Sequence, residues 1–288
     1  MINSARSSFS VFVAAFIGAG GATILVLWWA GILPPLPILG GSVAHCNVLK
    51  VPVYGDIVTV RPEMPSSSEG GGGGGGGDES AQSDSTLAVS TEIEDTLRAA
   101  SAEPSIKALL VDIDSGGGGS VAGVEIAAAV ARFGKPTVAV IHEVGASSAY
   151  LAAAAANIIF ASEESSVGSI GVTGSYVEQS KKNEKEGITF HQLSSGPYKD
   201  VFSPDKPLTE AERARIMRDI QTSHDNFVRD VAEYRHMPIE KVAALADGWA
   251  PLGKAALEAG LIDRIGGTEE ALAYLKEAVG EAPALCTW

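Results

Sequence analysis

The sequence predicts an α/β fold, a parallel sheet with flanking helices, preceded by one N-terminal transmembrane helix. Three observations carry this. An uncharged apolar run stands near the start, β-branched runs alternate with helical patterns from Val48 to Ala161, and the stretch beyond Pro204 turns helical. At 288 residues the chain is long enough for one large domain with a sizeable core.

The elements follow in order. Residues 1–8 carry one charged side chain, Arg6, and are read as a cytoplasmic N-terminus. "FSVFVAAFIGAGGATILVLWWAGIL", residues 9–33, has no charge and is long enough to cross a ~30 Å hydrocarbon core as a helix. Trp28 and Trp29 stand toward its far end, where aromatic belts sit, and Arg6 on the near side puts everything after Leu33 outside. The rival is a cleaved signal peptide, because "SVA" at Ser42 to Ala44 resembles a processing site, yet the apolar core of such peptides spans only ~7 to 15 residues. A buried core helix would show a polar face, and this run has none. The expectation is an uncleaved anchor.

Residues 34–64 form a proline-containing linker and the first strands, "VLKVPVYGDIVTV". Residues 65–88 are polar, acidic and glycine-run, a flexible insertion with too little apolar surface to order itself. No Gly-Lys-Ser/Thr follows the glycines, so a phosphate-cradling loop is not indicated. The main domain covers 89–288 together with 47–64. In it, "TEIEDTLRAA" carries a Thr-x-x-Glu capping box from Thr91 into a helix. "IKALLVDI" is a strand buried on both faces. A helix at "VAGVEIAAAVARF", a strand at "PTVAVIHE", a helix from about Ala146 to Ala156 and a strand at "IIFA" complete βαβ units. "ITFHQL" alternates as a strand does, and "PLTEAERARIMRDIQTSHDNFVRDVAEYRHM", "PIEKVAALA" and "GKAALEAG" are helical.

Composition excludes some functions. The net charge of −14 is the wrong sign for a protein that neutralises phosphates along a nucleic acid. Two cysteines, Cys46 and Cys286, supply neither a disulfide framework nor a zinc-finger ligand set; they can pair with each other in an oxidising compartment.

Ser147 follows a strand and precedes an alanine-rich helix, so its hydroxyl sits on a strand-to-helix turn. There it is either a helix N-cap or a nucleophile beside free backbone N–H groups. "GASSA" misses the last glycine of a Gly-x-Ser-x-Gly elbow, which weakens an α/β-hydrolase reading. "DIDSGGGGSVAG" ends another strand with glycines that let backbone approach a ligand closely, with Ser120 as an ordinary N-cap on the alternative reading. A serine nucleophile needs a base. His142 lies near the end of the preceding strand, and His45, His191, His224 and His236 have no evident placement. Lys199, in "SSGPYKDVFSP", occupies a turn-rich segment before the long helix. Taken alone it is most simply a solvated surface residue, since a lysine works as a base only when burial in a water-poor cleft strips its proton.

With these pieces in place the chain resembles the signal peptide peptidase SppA family, the protease IV-like serine peptidases. "GASSAY" matches that family's nucleophile motif and implies the nucleophile role for Ser147. "GSIGV" matches unchanged and gives Ser169 the role of hydrogen-bonding the lysine. "YKDVFSP" implies that Lys199 is the general base. "ADGWAPLGKAALEAGLIDRIGG" is similar to a later family stretch. The resemblance covers about Val51 to Val279 and implies a crotonase-like, ClpP-like fold, a ring-shaped homo-oligomer and peptide substrates, with no metal or cofactor. Its oxyanion loop is represented by "DSGGGGSV". Aligned from Ser120 backward, the donor is Gly118, with Gly119 as the near alternative, and the Ser148 backbone N–H is the second donor. Ser148 and Ala149 stand where the family has glycines.

The expected function is therefore a membrane-anchored endopeptidase that degrades signal-peptide remnants or other membrane-derived or unfolded peptides through an acyl-enzyme. Small residues around Ser147 and Ala149 suggest small or apolar side chains near the cleaved bond. The alternatives are an inactive membrane scaffold of the same fold and a ClpP-like Ser/His peptidase. Against the latter, Val172 occupies the region where such an enzyme has its histidine.

Overall fold

The computed structural model describes residues 46–62 and 87–287. The predicted cytoplasmic segment, the anchor at 9–33 and all of the insertion but its last two residues lie outside them. No helix among the described residues is long and apolar enough to cross a membrane.

The described elements run in the order β1 (Val48–Val58), β2 (Leu87–Val89), α1 (Ser90–Ala102), β3 (Ala108–Gly118), α2 (Ser120–Ala131), β4 (Thr137–Ala146), α3 (Ser148–Ala154), β5 (Ile158–Ala161) and β6 (Ser166–Gly168). Then come α4 (Ser180–Lys185), α5 (Glu210–Tyr234), α6 (Ile239–Leu245), α7 (Gly253–Ala259), β7 (Arg264–Ile265), α8 (Thr268–Val279) and β8 (Leu285–Cys286). The strands form one sheet in the order β2-β1-β3-β4-β5-β7, every pairing parallel. Two strands are shared along their length. β1 pairs with β8 at its start and β2 at its end, while β4 pairs with β5 at its start and β6 at its end.

Parallel strands are covered on both faces because their crossovers are helices, and period-two alternation sorts the side chains. Leu49, Val51, Val53, Leu109, Val111, Ile113, Ala139 and Ile141 point to one side, against α1, α2, α3 and α5. Val48, Ala108, Leu110, Val138, Val140 and Phe160 point to the other, under Ala271 and Leu275 of α8.

On that second side, Asp112 is fully buried and accepts hydrogen bonds from Tyr54 and Lys50, the latter at 2.7 Å, with His142 Nε2 at 2.7 Å from its other oxygen. Burial pushes the Asp112 carboxyl up, but these partners outweigh it and hold it below its ordinary range. Burial and the bond to Asp112 together push the Tyr54 hydroxyl up.

Three local expectations are corrected. Helix α1 begins at Ser90 without a side-chain cap, because Thr91 Oγ1 donates to the Thr59 carbonyl instead, at 3.0 Å. The capping box lies at α5, where Thr209 Oγ1 accepts from Glu212 N at 3.2 Å and Glu212 Oε2 accepts from Thr209 N at 2.8 Å. Strand β2 starts at Leu87, two residues inside the predicted insertion. "ITFHQL" is not a strand, since no neighbour offers it a ladder, and His191 lies exposed in irregular chain. Cys46 and Cys286 are joined in a disulfide with Cα atoms 5.5 Å apart, tying the start of β1 to β8.

Candidate active site

Three strand ends converge at one edge of the sheet. Strand β3 ends in glycine, β4 runs directly into Ser147, and β6 pairs with the end of β4 so that Ala146 faces Gly168. The next residue on each strand is a serine, Ser147 and Ser169, so the ladder register sets both in the same layer. Ser147 N–H donates to the Gly168 carbonyl at 2.7 Å, which continues the pairing one step.

Ser147 takes the N-cap position of α3 in the backbone sense only. Its carbonyl accepts from Leu151 N at 3.1 Å, but its side chain makes no cap hydrogen bond. Its backbone has φ 54° and ψ −127°, a conformation that costs a non-glycine residue of order 1–3 kcal/mol. An ordinary N-cap is extended and uses its hydroxyl on the helix. Ser147 does neither, and its side chain is left facing a cavity.

The glycine loop is held against this serine. Ser115 Oγ donates to the Gly55 carbonyl at 2.6 Å and accepts from Gly117 N at 3.0 Å, and Asp114 Oδ1 accepts from Val144 N at 3.1 Å. Gly117 has φ 107°, and a Cβ there would come 2.8 Å from Ser147 Cβ and 2.9 Å from the Ala146 carbonyl oxygen. Only glycine fits a backbone that close. The Gly119 N–H donates to the Ile57 carbonyl at 2.8 Å and is thereby occupied, whereas Gly118 lines the cavity beside Ser147. Ser120, the other N-cap candidate, is the first residue inside α2; the cap is Gly119.

Gly118, Ser147 and Ser148 thus line one cavity of about 400 Å³, which Val124, Leu151, Phe227 and the Gly171–Thr173 strip help to enclose. Ser148 fits because α2 presents Gly123 opposite it; a Cβ on Gly123 would fall 2.4 Å from Ser148 Cβ. Ala149 is fully buried in the core and does not line the cavity, so it sets no limit on what enters.

Ser169 has φ 48°; its N–H donates to the Trp249 carbonyl at 3.0 Å and its hydroxyl to the Gly248 carbonyl at 2.9 Å. That leaves the lone pairs of its oxygen to accept from a cation. Lys199 is not among the residues around the cavity. It lies exposed in a turn of the irregular chain between α4 and α5, and among residues 173–206 only Asn183 of α4 is buried. None of the described histidines lines the cavity either. His142 points to the other face of the sheet, onto Asp112, and His224 Nε2 is 2.9 Å from the Ala246 carbonyl.

The residues sequence reasoning did not single out are the walls, Val124, Glu125, Leu151, Phe227 and Asp230. They come from three helices far apart in the chain. Only the i, i+3 spacing of Val121 and Val124 along α2 hinted at a shared face.

A family model described as peptidase family S49 matches residues 129–281. A putative protease of Methanocaldococcus jannaschii is 34% identical over 177 residues, covering 61% of this chain and 57% of that protein. A putative signal peptide peptidase SppA of Enterococcus faecium is 37% identical over 178 residues, covering 61% of this chain and 52% of that protein. Protease 4 of Salmonella typhi is 31% identical over 187 residues, 63% of this chain and 30% of its own length. The matched part therefore spans little more than half of the first two relatives. The family match contains Ser147, Ser169 and Lys199 together with the cavity's α3 and α5 walls. The chain belongs to peptidase family S49, the signal peptide peptidase SppA family of serine peptidases.

Proposed function

We propose that the protein is a membrane-anchored serine endopeptidase in which Ser147 attacks the scissile carbonyl and Lys199 takes its proton. In this reading the neutral lysine, held by the Ser169 oxygen, accepts the Ser147 proton as the Oγ–carbon bond forms. The N–H groups of Gly118 and Ser148 stabilise the oxyanion, the proton passes to the leaving amine, and water releases the acyl-enzyme. The crotonase-like, ClpP-like arrangement of the fold belongs to the same reading. The substrates are signal-peptide remnants and other membrane-derived or unfolded peptides.

The observation that carries the proposal is Ser147 itself, strained at φ 54° with its hydroxyl unused by the helix and open to a cavity. Strain of this kind persists where the surroundings enforce it and clusters at active sites. The occupied Gly119 N–H supports Gly118 as the donor from the glycine loop. The absence of any described histidine around the cavity speaks against a Ser/His peptidase, and a scaffold has no need of a strained, uncapped serine.

Lys199 must still be brought to Ser147. The stretch that carries it exposes Tyr176, Val177, Ile188, Phe190, Leu193 and Tyr198, an apolar surface that a lone subunit would leave in water. In our reading a homo-oligomer covers this surface and the lysine enters a water-poor site on assembly.

The test uses a fluorophosphonate probe on the full-length protein in detergent. Modification at Ser147, located by peptide mass and absent in Ser147→Ala, is expected. Labelling that persists in Ser147→Ala, or labelling at another serine, contradicts the assignment.

A further inference from the structure

The cavity beside Ser147 carries charge that the reaction above does not use. Glu125 of α2 and Asp230 of α5 both line it, and no lysine, arginine or histidine does among the described residues. One Glu125 oxygen accepts from the Ser90 hydroxyl and the other has no hydrogen-bond partner among the described residues. Asp230 is partly neutralised, since Arg229 Nε and Nη2 donate to its Oδ1 at 3.1 and 2.9 Å, from a guanidinium that is itself largely exposed. A third polar group is unsatisfied. Ser148 lines the cavity, is 5% exposed, and its hydroxyl is buried with no partner among the described residues. A buried hydroxyl without a partner is costly until something pairs with it.

Val121, Val124, Leu151 and Phe227 give the wall its apolar part, beside the neutral polar Ser120, Thr173, Ser223 and Asn226. Such a cavity has the composition of a long cationic side chain's complement: apolar surface for methylenes and acceptors for the charged head. A purely aliphatic side chain would leave the second Glu125 oxygen, and the part of the Asp230 carboxylate that Arg229 does not engage, without a counter-charge.

We infer that this cavity receives the substrate side chain on the acyl side of the scissile bond and selects lysine or arginine there, with Glu125 and Asp230 as the specificity-determining residues. The inference rests on the peptidase reading and departs from the expectation of small or apolar residues at the cleaved bond.

Four fluorogenic peptides that differ only in that residue, as lysine, arginine, norleucine or glutamate, test it on the full-length protein in detergent. Lysine and arginine are expected to exceed norleucine in kcat/KM by about tenfold or more, the scale of one partly exposed charge contact, with glutamate slowest. The preference should shrink as salt is raised from about 0.05 to 0.5 M, as screening requires. In Glu125→Gln/Asp230→Asn the lysine-to-norleucine ratio should fall about tenfold. The two single variants are read by the same ratio, which a general folding defect leaves in place. Norleucine cleaved as fast as lysine, or a ratio unchanged in the variants, overturns the inference. If Ser147 takes the fluorophosphonate and discrimination is missing, this inference fails alone. If no peptide is cleaved and Ser147 stays unlabelled, the peptidase reading fails with it.

Discussion

At the scale of single residues, the account turns on how Ser147 is held. Three contacts converge on it: the Gly168 carbonyl on its N–H, Leu151 N on its carbonyl, and Gly117 packed where a side chain would collide. Gly117→Ala puts a Cβ 2.8 Å from Ser147 Cβ at a φ of 107°, so the serine must move. We expect a loss of roughly 1–3 kcal/mol in stability and of about 100-fold in peptide cleavage, because small misplacements of a nucleophile are costly; urea titration and a kcat measurement check the two. Ser169→Ala removes the hydroxyl that bonds Gly248 and, in our reading, orients the lysine. An approximately tenfold fall in kcat with KM little changed is expected, and an unchanged kcat would deny Ser169 that role. The serine was legible in the sequence because a strand, a turn and an alanine helix surround it. Glu125 and Asp230 were not, since each reads as a charge on the polar face of a helix until the fold brings α2 and α5 to one cavity.

At the scale of elements, the long helix α5 is anchored where the irregular lysine-bearing stretch ends. Lys206 Nζ donates to Glu212 Oε1 at 2.6 Å, and the Thr209 N–H to Glu212 Oε2. These bonds, that from Lys206 first, hold the Glu212 carboxyl down at about 2. Because the folded value lies below the ordinary 4.5, the contribution is present above that pH and is lost as pH falls toward about 2. The urea midpoint should therefore decline across this window less steeply in Glu212→Gln than in wild type; equal slopes would place the acid sensitivity in the other lowered carboxylates among the described residues, Asp112, Glu103 and Glu270. The same pattern shows why motif reading has limits. Thr91 and Glu94 have capping-box spacing just as Thr209 and Glu212 do, but β2 runs on to Val89 and Thr91 is spent on Thr59. "ITFHQL" alternates correctly and still forms no strand, because pairing needs a neighbour that the sequence pattern cannot supply. By contrast β1 was legible from its β-branched run, and β3 and the first half of β4 from near-continuous apolar runs that central parallel strands bury on both faces.

At the scale of the whole molecule, the disulfide between Cys46 and Cys286 closes a span of 240 residues. Cross-linking so long a loop restricts the unfolded chain by roughly 5–6 kcal/mol in the loop-entropy account. Reduction should lower the melting temperature by several degrees, and Cys46→Ser/Cys286→Ser should melt low with or without reductant. A melting point insensitive to reductant would mean the bond does not form. In our reading the separation of Lys199 from the cavity is closed by assembly, and the sequence motifs name the lysine without saying which copy supplies it.

The most direct measurement is cleavage of one fluorogenic peptide by full-length wild type, Ser147→Ala, Lys199→Ala and a co-assembled equal mixture of the two variants. The account predicts losses on the order of 10³-fold or more for each variant alone. If the lysine crosses between copies in a closed assembly, the mixture regains about a quarter of wild-type activity; if it does not, the mixture stays inactive and each copy serves itself. Full activity in Ser147→Ala, or in Lys199→Ala, would contradict the central claim that these two residues carry the reaction.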